Sequence, residues 1–364
     1  MRIAILHHSL TGYSNVCLKA LHAHGDVKIF LAHCTLDPNT PFDRSMFSWI
    51  DSRYEWSGKP DTKRLLSQVR EFKPDVLLTL GWHVGAYRRV AKSLKGEARR
   101  ILYFENTWRS TAKQWLGVLS SPIHVRSLAE YAWVPGSRQR DFARRLGFGA
   151  LEIMDGSLSG DTRLFRSVGR QRESLARKPK SFLFVGRLVK VKGLTALLNG
   201  YAMYRSMCSD PWPLICVGAG PLQNEVSSAP GVVSDGFLQP EPLAQRMLEA
   251  SVFVLPSLFE PWGVVVHEAA AAGMPMIVSE VVGSHVHLVQ SGFNGYIAEA
   301  GSAESLAKAM LRFHLMDEDS LAKMGNASRQ LAEQYTPERW AATLRQIAAG
   351  DRREKEEPHP TFVS

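Results

Sequence analysis

Two carboxylates, Glu260 and Glu268, stand with seven residues between them in the stretch 255–275, LPSLFEPWGVVVHEAAAAGMP. The apolar run 251–255 reads as a buried strand, and Pro256 and Ser257 stop it. A loop follows with Glu260, Pro261 and Trp262. Gly263 opens an apolar segment, 264–272, that reads as a helix closed by Gly273 and Pro275. At 3.6 residues per turn, Glu268 falls in the second turn and Glu260 just ahead of the first. Both can face a ligand held at the helix N-terminus, where unpaired N–H groups and the dipole favour an anion such as phosphate. Carboxylates beside an anion site suit a ligand that carries hydroxyls next to its phosphates, as a nucleotide sugar does. Taken singly, Glu260 could also be a solvated loop charge and Glu268 a helix-start charge. A glycosidase acid/base pair likewise uses two carboxylates, but nothing else in the chain supports it.

Cations and glycines stand at comparable places upstream. The run 181–185 reads as a strand and is followed by Gly186-Arg187-Leu188 and Lys192-Gly193. Arg187 offers a planar fork and Lys192 a point charge, and both suit a diphosphate; two solvated loop cations are the alternative. The strand 214–217 ends in Gly218-Ala219-Gly220-Pro221, where the backbone can approach a nucleotide. Gly236-Phe237-Leu238 follows the next strand and would sit beside the base.

The elements that must position these groups alternate strand and helix along the whole chain. In the first half, strands are expected at 2–6, 27–32, 75–80, 101–104 and 131–134, with a loop containing Gly12 after the first. Residues 35–60, with Pro38, Pro41, Pro60 and the aromatics Phe42, Phe47, Trp49, Tyr54 and Trp56, read as a long irregular loop, suited either to acceptor binding or to packing on the domain surface. His83 follows the strand 75–80, and Glu105 and Trp108 follow 101–104. Ligands of open α/β sheets bind outside the carboxyl ends of the strands, so these three residues are candidates for the acceptor side, with an ordinary loop histidine as the other reading of His83. Residues 166–180 are polar and basic and read as a linker. Two doubly wound Rossmann-like domains facing across a cleft are therefore expected: 1–165 for the acceptor, 166–335 for a nucleotide sugar, a helix at 336–350, and a charged tail, 351–364, expected to be disordered.

The block around Glu260 and Glu268 resembles the E-x7-E motif of the retaining glycosyltransferases of family 4, which have the GT-B fold. Pro256-Ser257, Phe259-Glu260-Pro261-Trp262-Gly263 and Glu268 through Gly273 match it in order. Gly186-Arg187-Leu188 and Lys192-Gly193 match the family's phosphate loop, and Gly160-Asp161-Thr162 with Phe165 its interdomain link. The likeness extends well over 181–345 and only in outline over 1–165. Gly12 stands alone where relatives often have two glycines, Glu105 lies near a position often held by His or Asp, and Gly283-Ser284 and His287 replace a usual Gly-Gly and Glu. The resemblance implies a retaining transfer, without metal or cofactor, from a UDP- or GDP-sugar to an acceptor hydroxyl, in bacterial cell-surface glycan or glycolipid synthesis. It implies catalytic roles for Glu260, Arg187 and Lys192. Glu268, Gly218, Gly220, Phe237, Leu238, Pro261, Trp262, Gly263 and Val264 would bind the donor, with Gly12, His83, Glu105 and Trp108 on the acceptor side. It also implies that the last helix crosses back onto the first domain. Another GT-B sugar-nucleotide enzyme, such as an epimerase or phosphorylase, is the alternative within the fold.

Composition bounds the rest. Hydrophobic residues are 45% and charged residues 22% of 364, which excludes a disordered chain. Cys17, Cys34, Cys208 and Cys216 form no C-x-x-C pair and read as reduced thiols of a reducing, cytoplasmic compartment. The N-terminus lacks the long apolar core of a signal peptide. The formal net charge is +9, and all of it lies in residues 1–165, with 24 Lys+Arg against 15 Asp+Glu. That half should face something anionic. A peripheral position on an anionic membrane surface, with a glycan or lipid-linked acceptor, is the expectation. A basic nucleic-acid-binding module is the competing class, but no nucleic-acid motif accompanies the charge.

Overall fold

The computed structural model describes residues 1–35, 44–50, 52–175 and 179–350. They build two parallel sheets, each flanked by helices. The first has seven strands: β1 (Arg2–His7), β2 (Lys28–Cys34), β3 (Ser52–Trp56), β4 (Val76–Leu80), β5 (Arg99–Tyr103), β6 (Tyr131–Trp133) and β7 (Ile153–Met154), in the order β3-β2-β1-β4-β5-β6-β7. The second has six: β8 (Phe182–Val185), β9 (Leu214–Val217), β10 (Val232–Gly236), β11 (Val252–Leu255), β12 (Met276–Ser279) and β13 (Gly295–Ala298), in the order β10-β9-β8-β11-β12-β13. The central strands are continuous apolar runs because helices cover both faces of a parallel sheet; β8, β9, β11 and β12 are buried at every residue. In each sheet the order reverses direction beside the first strand, between β1 and β4 and between β8 and β11. A crevice opens there at the carboxyl ends.

Two stretches differ from their sequence reading. Residues 52–56, inside the expected loop 35–60, form β3 and pair in parallel with β2. Tyr54 and Trp56 point inward and are buried, as is Phe47. The alternation is only five residues long and follows a proline-rich run, which hides it from periodicity. Pro38, Pro41 and Phe42 lie outside the described residues, as does the tail 351–364. The expected linker 166–180 is helical over Thr162–Ser174. Asp161 caps it by accepting from the Leu164 N–H, 3.0 Å. Phe165 and Val168 sink into the second core, and a Cβ on Gly169 would meet the Ala271 carbonyl at 3.0 Å. The helix thus belongs to the second domain, although its apolar stripe is too thin to stand out among its arginines.

The chain returns to the first domain through Tyr335 and Thr336. Thr336 caps the helix Pro337–Ala349 by accepting from the Arg339 N–H, 3.1 Å. Trp340, Leu344 and Ile347 of that helix are buried in the first core beside Leu18 and Leu21. The Trp340 indole N–H donates to the Ser157 carbonyl, 2.8 Å, and its ring lies 4.8 Å from that of Trp133. Arg99 donates to the Ile347 and Ala348 carbonyls, 2.6 Å each, at the end of the helix.

Candidate active site

The loops after β8, β9 and β10 are laced together by backbone contacts that need glycine. Gly193, at φ +73°, lies so close to the Pro256 carbonyl that any Cβ would strike it. This contact brings the loop carrying Lys192 against the loop after β11. Lys192 consequently forms an ion pair with the Glu260 carboxylate, and the Ser257 hydroxyl stands 3.5 Å from the same oxygen. Gly218, at φ +146°, likewise packs on the Gly186 carbonyl, and its N–H donates to the Gly236 carbonyl, 2.7 Å.

Gly263 adopts φ +91° at the N-cap of the helix Val264–Ala271, and no side chain caps that end. Its first-turn N–H groups are therefore available to an anion. One turn on, Glu268 is partly buried in the wall formed with Asp161 and Gly160. Burial, with the Asp161 charge adding to it, raises its carboxyl to about 8. Its neighbour His267 faces inward, and burial pulls its imidazole down to about 3, so it stays neutral and accepts from the Gly160 N–H, 3.4 Å.

Across from these groups, the first domain contributes the start of the helix Gly12–His22 and the end of β5. Glu105 is half-buried in the cleft wall and accepts from the Tyr103 hydroxyl, 2.6 Å. Burial raises its carboxyl. The Tyr103 bond works against that rise, Glu260 adds to it and Lys192 opposes it. Glu105 therefore stands within electrostatic reach of the Glu260–Lys192 pair.

These groups share one cleft of about 550 Å³ between the domains. Among the residues singled out from sequence, Glu260, Arg187, Lys192, Glu268, Gly218, Phe237, Leu238, Gly263, Val264, Gly12 and Glu105 line it. Others do not. His83 is exposed, its ring 4.9 Å from that of His8. Trp108 packs on Phe142 and Trp115, away from the cleft. Gly220 packs on the Leu188 backbone. Trp262 is fully buried between the domains, with its ring 5.7 Å from His287 and 5.8 Å from Tyr335. The Pro261 carbonyl is taken by Gln139 of the first domain, 2.5 Å. Trp262 and Pro261 thus join the domains, and His287 completes this contact: its Nε2 faces the Ser137 N–H at 3.1 Å. Sequence reasoning missed Asp161, Tyr13, Lys19 and Glu241 as cleft residues. For Tyr13 and Lys19 the signal was their place just after Gly12.

The cations of the first half fall into paired and exposed groups. Arg100 is buried and paired with Glu130, and Arg99 serves the last helix as described. Arg140 is bound to Asp155, and Arg138 donates to the Glu280 carbonyl of the other domain, 2.8 Å. Arg88, Arg89, Lys92, Lys95 and Arg144 remain exposed. No helix among the described residues is long and apolar enough to cross a membrane.

Residues 166–331 match the family described as Glycosyl transferases group 1. An uncharacterised glycosyltransferase of Methanocaldococcus jannaschii is 32% identical over 39% of this chain and 36% of its own length. A phosphatidyl-myo-inositol mannosyltransferase of Mycobacterium leprae is 31% identical over 47% of each. The chain spans about half or less of the length of the curated relatives cited. In fold it is similar along nearly its whole length to HepE of Anabaena, solved with UDP and glucose, with a TM-score of 0.74 at 15% identity over 96% of this chain and 100% of that one. Sucrose-phosphate synthase of Thermosynechococcus elongatus gives 0.70 at 19% over the same shares. The architecture is the GT-B fold.

Proposed function

We propose, from the match of residues 166–331 to the glycosyl transferases group 1 family, that the cleft moves a sugar from a UDP- or GDP-sugar to an acceptor hydroxyl, with retention and without a metal. The observation that carries this is the convergence of Arg187, Lys192, the uncapped helix start at Gly263, Glu260 and Glu268 on one interdomain cleft. Arg187, Lys192 and the helix N–H groups stabilise the charge that grows on the leaving diphosphate. Glu260 holds hydroxyls of the donor sugar and keeps Lys192 in place. Glu268 accepts from the ribose diol, and Phe237 and Leu238 flank the base. The bond from the anomeric carbon to the phosphate oxygen breaks as the bond to the acceptor oxygen forms on the same face. The acceptor's proton passes to the leaving phosphate oxygen. Glu105, its carboxyl raised, sits where it can hydrogen-bond the acceptor.

The acceptor in this reading is a glycan or lipid-linked hydroxyl at an anionic membrane face. The charge of the first half supports it, and so does the phosphatidylinositol acceptor in the name of one relative. Calorimetry with UDP, GDP and ADP, and thermal shift with oligonucleotides, test the whole. One nucleoside diphosphate should bind and oligonucleotides should not. Arg187→Ala and Lys192→Ala should each weaken the nucleotide by about 1.5–3 kcal/mol, and unchanged affinity in both sinks the assignment. Glu260→Gln should impair turnover and spare free nucleotide, whereas Glu268→Gln should weaken the nucleotide but not its 2′,3′-dideoxy form.

A further inference from the structure

The helix Ala112–Leu119 has no buried residue. Its apolar residues Ala112, Trp115, Leu116 and Leu119 fall at i, i+3, i+4 and i+7, the spacing of a stripe that ordinarily faces a core. Here the stripe faces outward. Trp115 is 51% exposed, Leu116 67% and Leu119 76%, and Ile123, in the short helix that follows, is 67% exposed. Large apolar side chains scattered singly over a surface are ordinary; four within nine residues on one projection mark a site of interaction.

The opposite face ties the helix down. The Gln114 amide donates to the Thr107 carbonyl and accepts from the Arg109 N–H, 2.7 Å each. Val118 packs on the cluster of Phe104 and Phe142. The outward stripe is therefore held in place rather than left by fraying.

Cations surround it. Lys113 lies on the helix itself. Lys92 donates to the Ile123 carbonyl, 3.3 Å. Arg145 sits 4.7 Å over the Trp108 ring, which meets Trp115 edge-on at 5.1 Å. The acidic group paired near them is Asp141, with Arg145. An apolar ridge whose surrounding charges are mainly cationic fits an anionic lipid surface, where the side chains enter the acyl boundary and the cations meet headgroups. A second copy of the chain would bring the same cations face to face.

The ridge is also joined to the cleft. The loop that starts it carries Glu105, in the cleft wall, and Arg109, whose guanidinium lies 4.4 Å over the Phe259 ring of the second domain. We infer that residues 112–123 are an interfacial docking element that seats the protein on an anionic bilayer with the cleft entrance at the lipid surface. This deepens the proposed function by naming the element that meets the membrane, and it rests on the reading that the acceptor is presented there.

The full chain is mixed with vesicles of phosphatidylcholine, with and without phosphatidylglycerol, and sedimented. Binding should need phosphatidylglycerol and fall with salt. Leu116→Ser with Leu119→Ser should weaken it more than about tenfold while UDP or GDP affinity and melting temperature stay unchanged. Brominated lipid should quench the wild type more than Trp115→Phe. Binding that survives the double serine variant overturns the inference, as does salt-independent dimerisation that the variant abolishes. A wild type that binds nucleotide but no vesicle overturns it and leaves sugar transfer standing. A wild type that binds vesicles but no nucleotide overturns the transfer reading alone.

Discussion

Replacing Glu268 by Gln gives a sharp test of the donor wall, because it removes a carboxyl that the fold holds protonated. The ordinary carboxyl value is 4.5, and in the folded protein burial and Asp161 raise it to about 8. The sign follows from proton counts. Between these values the folded state keeps a proton that the unfolded state gives up. Stability is therefore lost as pH rises through that window and levels off above about 8. Over pH 5 to 9 a shift of this size corresponds to about 4 kcal/mol. Glu268 is only partly shielded from the cleft's solvent, so about half of that, roughly 2 kcal/mol, is the reasonable expectation. Glutamine has no such dependence. In thermal melts without nucleotide, the variant and the wild type should differ little near pH 5, and the variant should gain on the wild type by several degrees at pH 9. Parallel pH profiles would refute the placement of Glu268 in a desolvated wall beside Asp161. A wild type that gains on the variant as pH rises would mean that a cation holds the carboxylate ionised.

Two further outcomes follow from glycine positions. Gly193→Ala puts a Cβ into the Pro256 carbonyl at a left-handed φ, and should cost roughly 2–3 kcal/mol in denaturant melts. Because Lys192 precedes it, nucleotide affinity should fall as well, and unaltered stability would discount the contact between the two loops. Gly136→Ala places a Cβ 2.5 Å from His287 Nε2 and 2.8 Å from the Trp262 ring. It should lower stability by about 1–3 kcal/mol or open the domains, which small-angle scattering would register as a larger radius of gyration; no change in either would show that the contact gives way freely.

The alternation of buried strands and helices, and the order of glycines, cations and carboxylates at the carboxyl ends of β8, β9 and β11, were legible in sequence. Those signals are local: a strand, its loop and the next helix lie within about 20 residues, and strand-end loops of a parallel sheet converge whatever the details. Glu260 and Lys192 were legible as candidates, and their pairing was not, since it depends on Gly193 meeting Pro256 across 63 residues. Trp262 shows the reverse. Its motif suggested a donor contact, yet the ring is buried between the domains, because an indole beside a cleft gains more by packing on Tyr335 and His287 than by facing water. Residues 166–180 read as a linker although 166–174 belong to the helix Thr162–Ser174, because buried Thr162, Phe165 and Val168 with the close-packed Gly169 are enough to seat it. The stripe of Ala112, Trp115, Leu116 and Leu119 marks the limit most clearly. Periodicity in the sequence states that one face of a helix is apolar. Whether that face meets a core or the outside is decided by the opposite face, here by Gln114 and Val118 finding partners on the first domain, and only the folded chain supplies those partners.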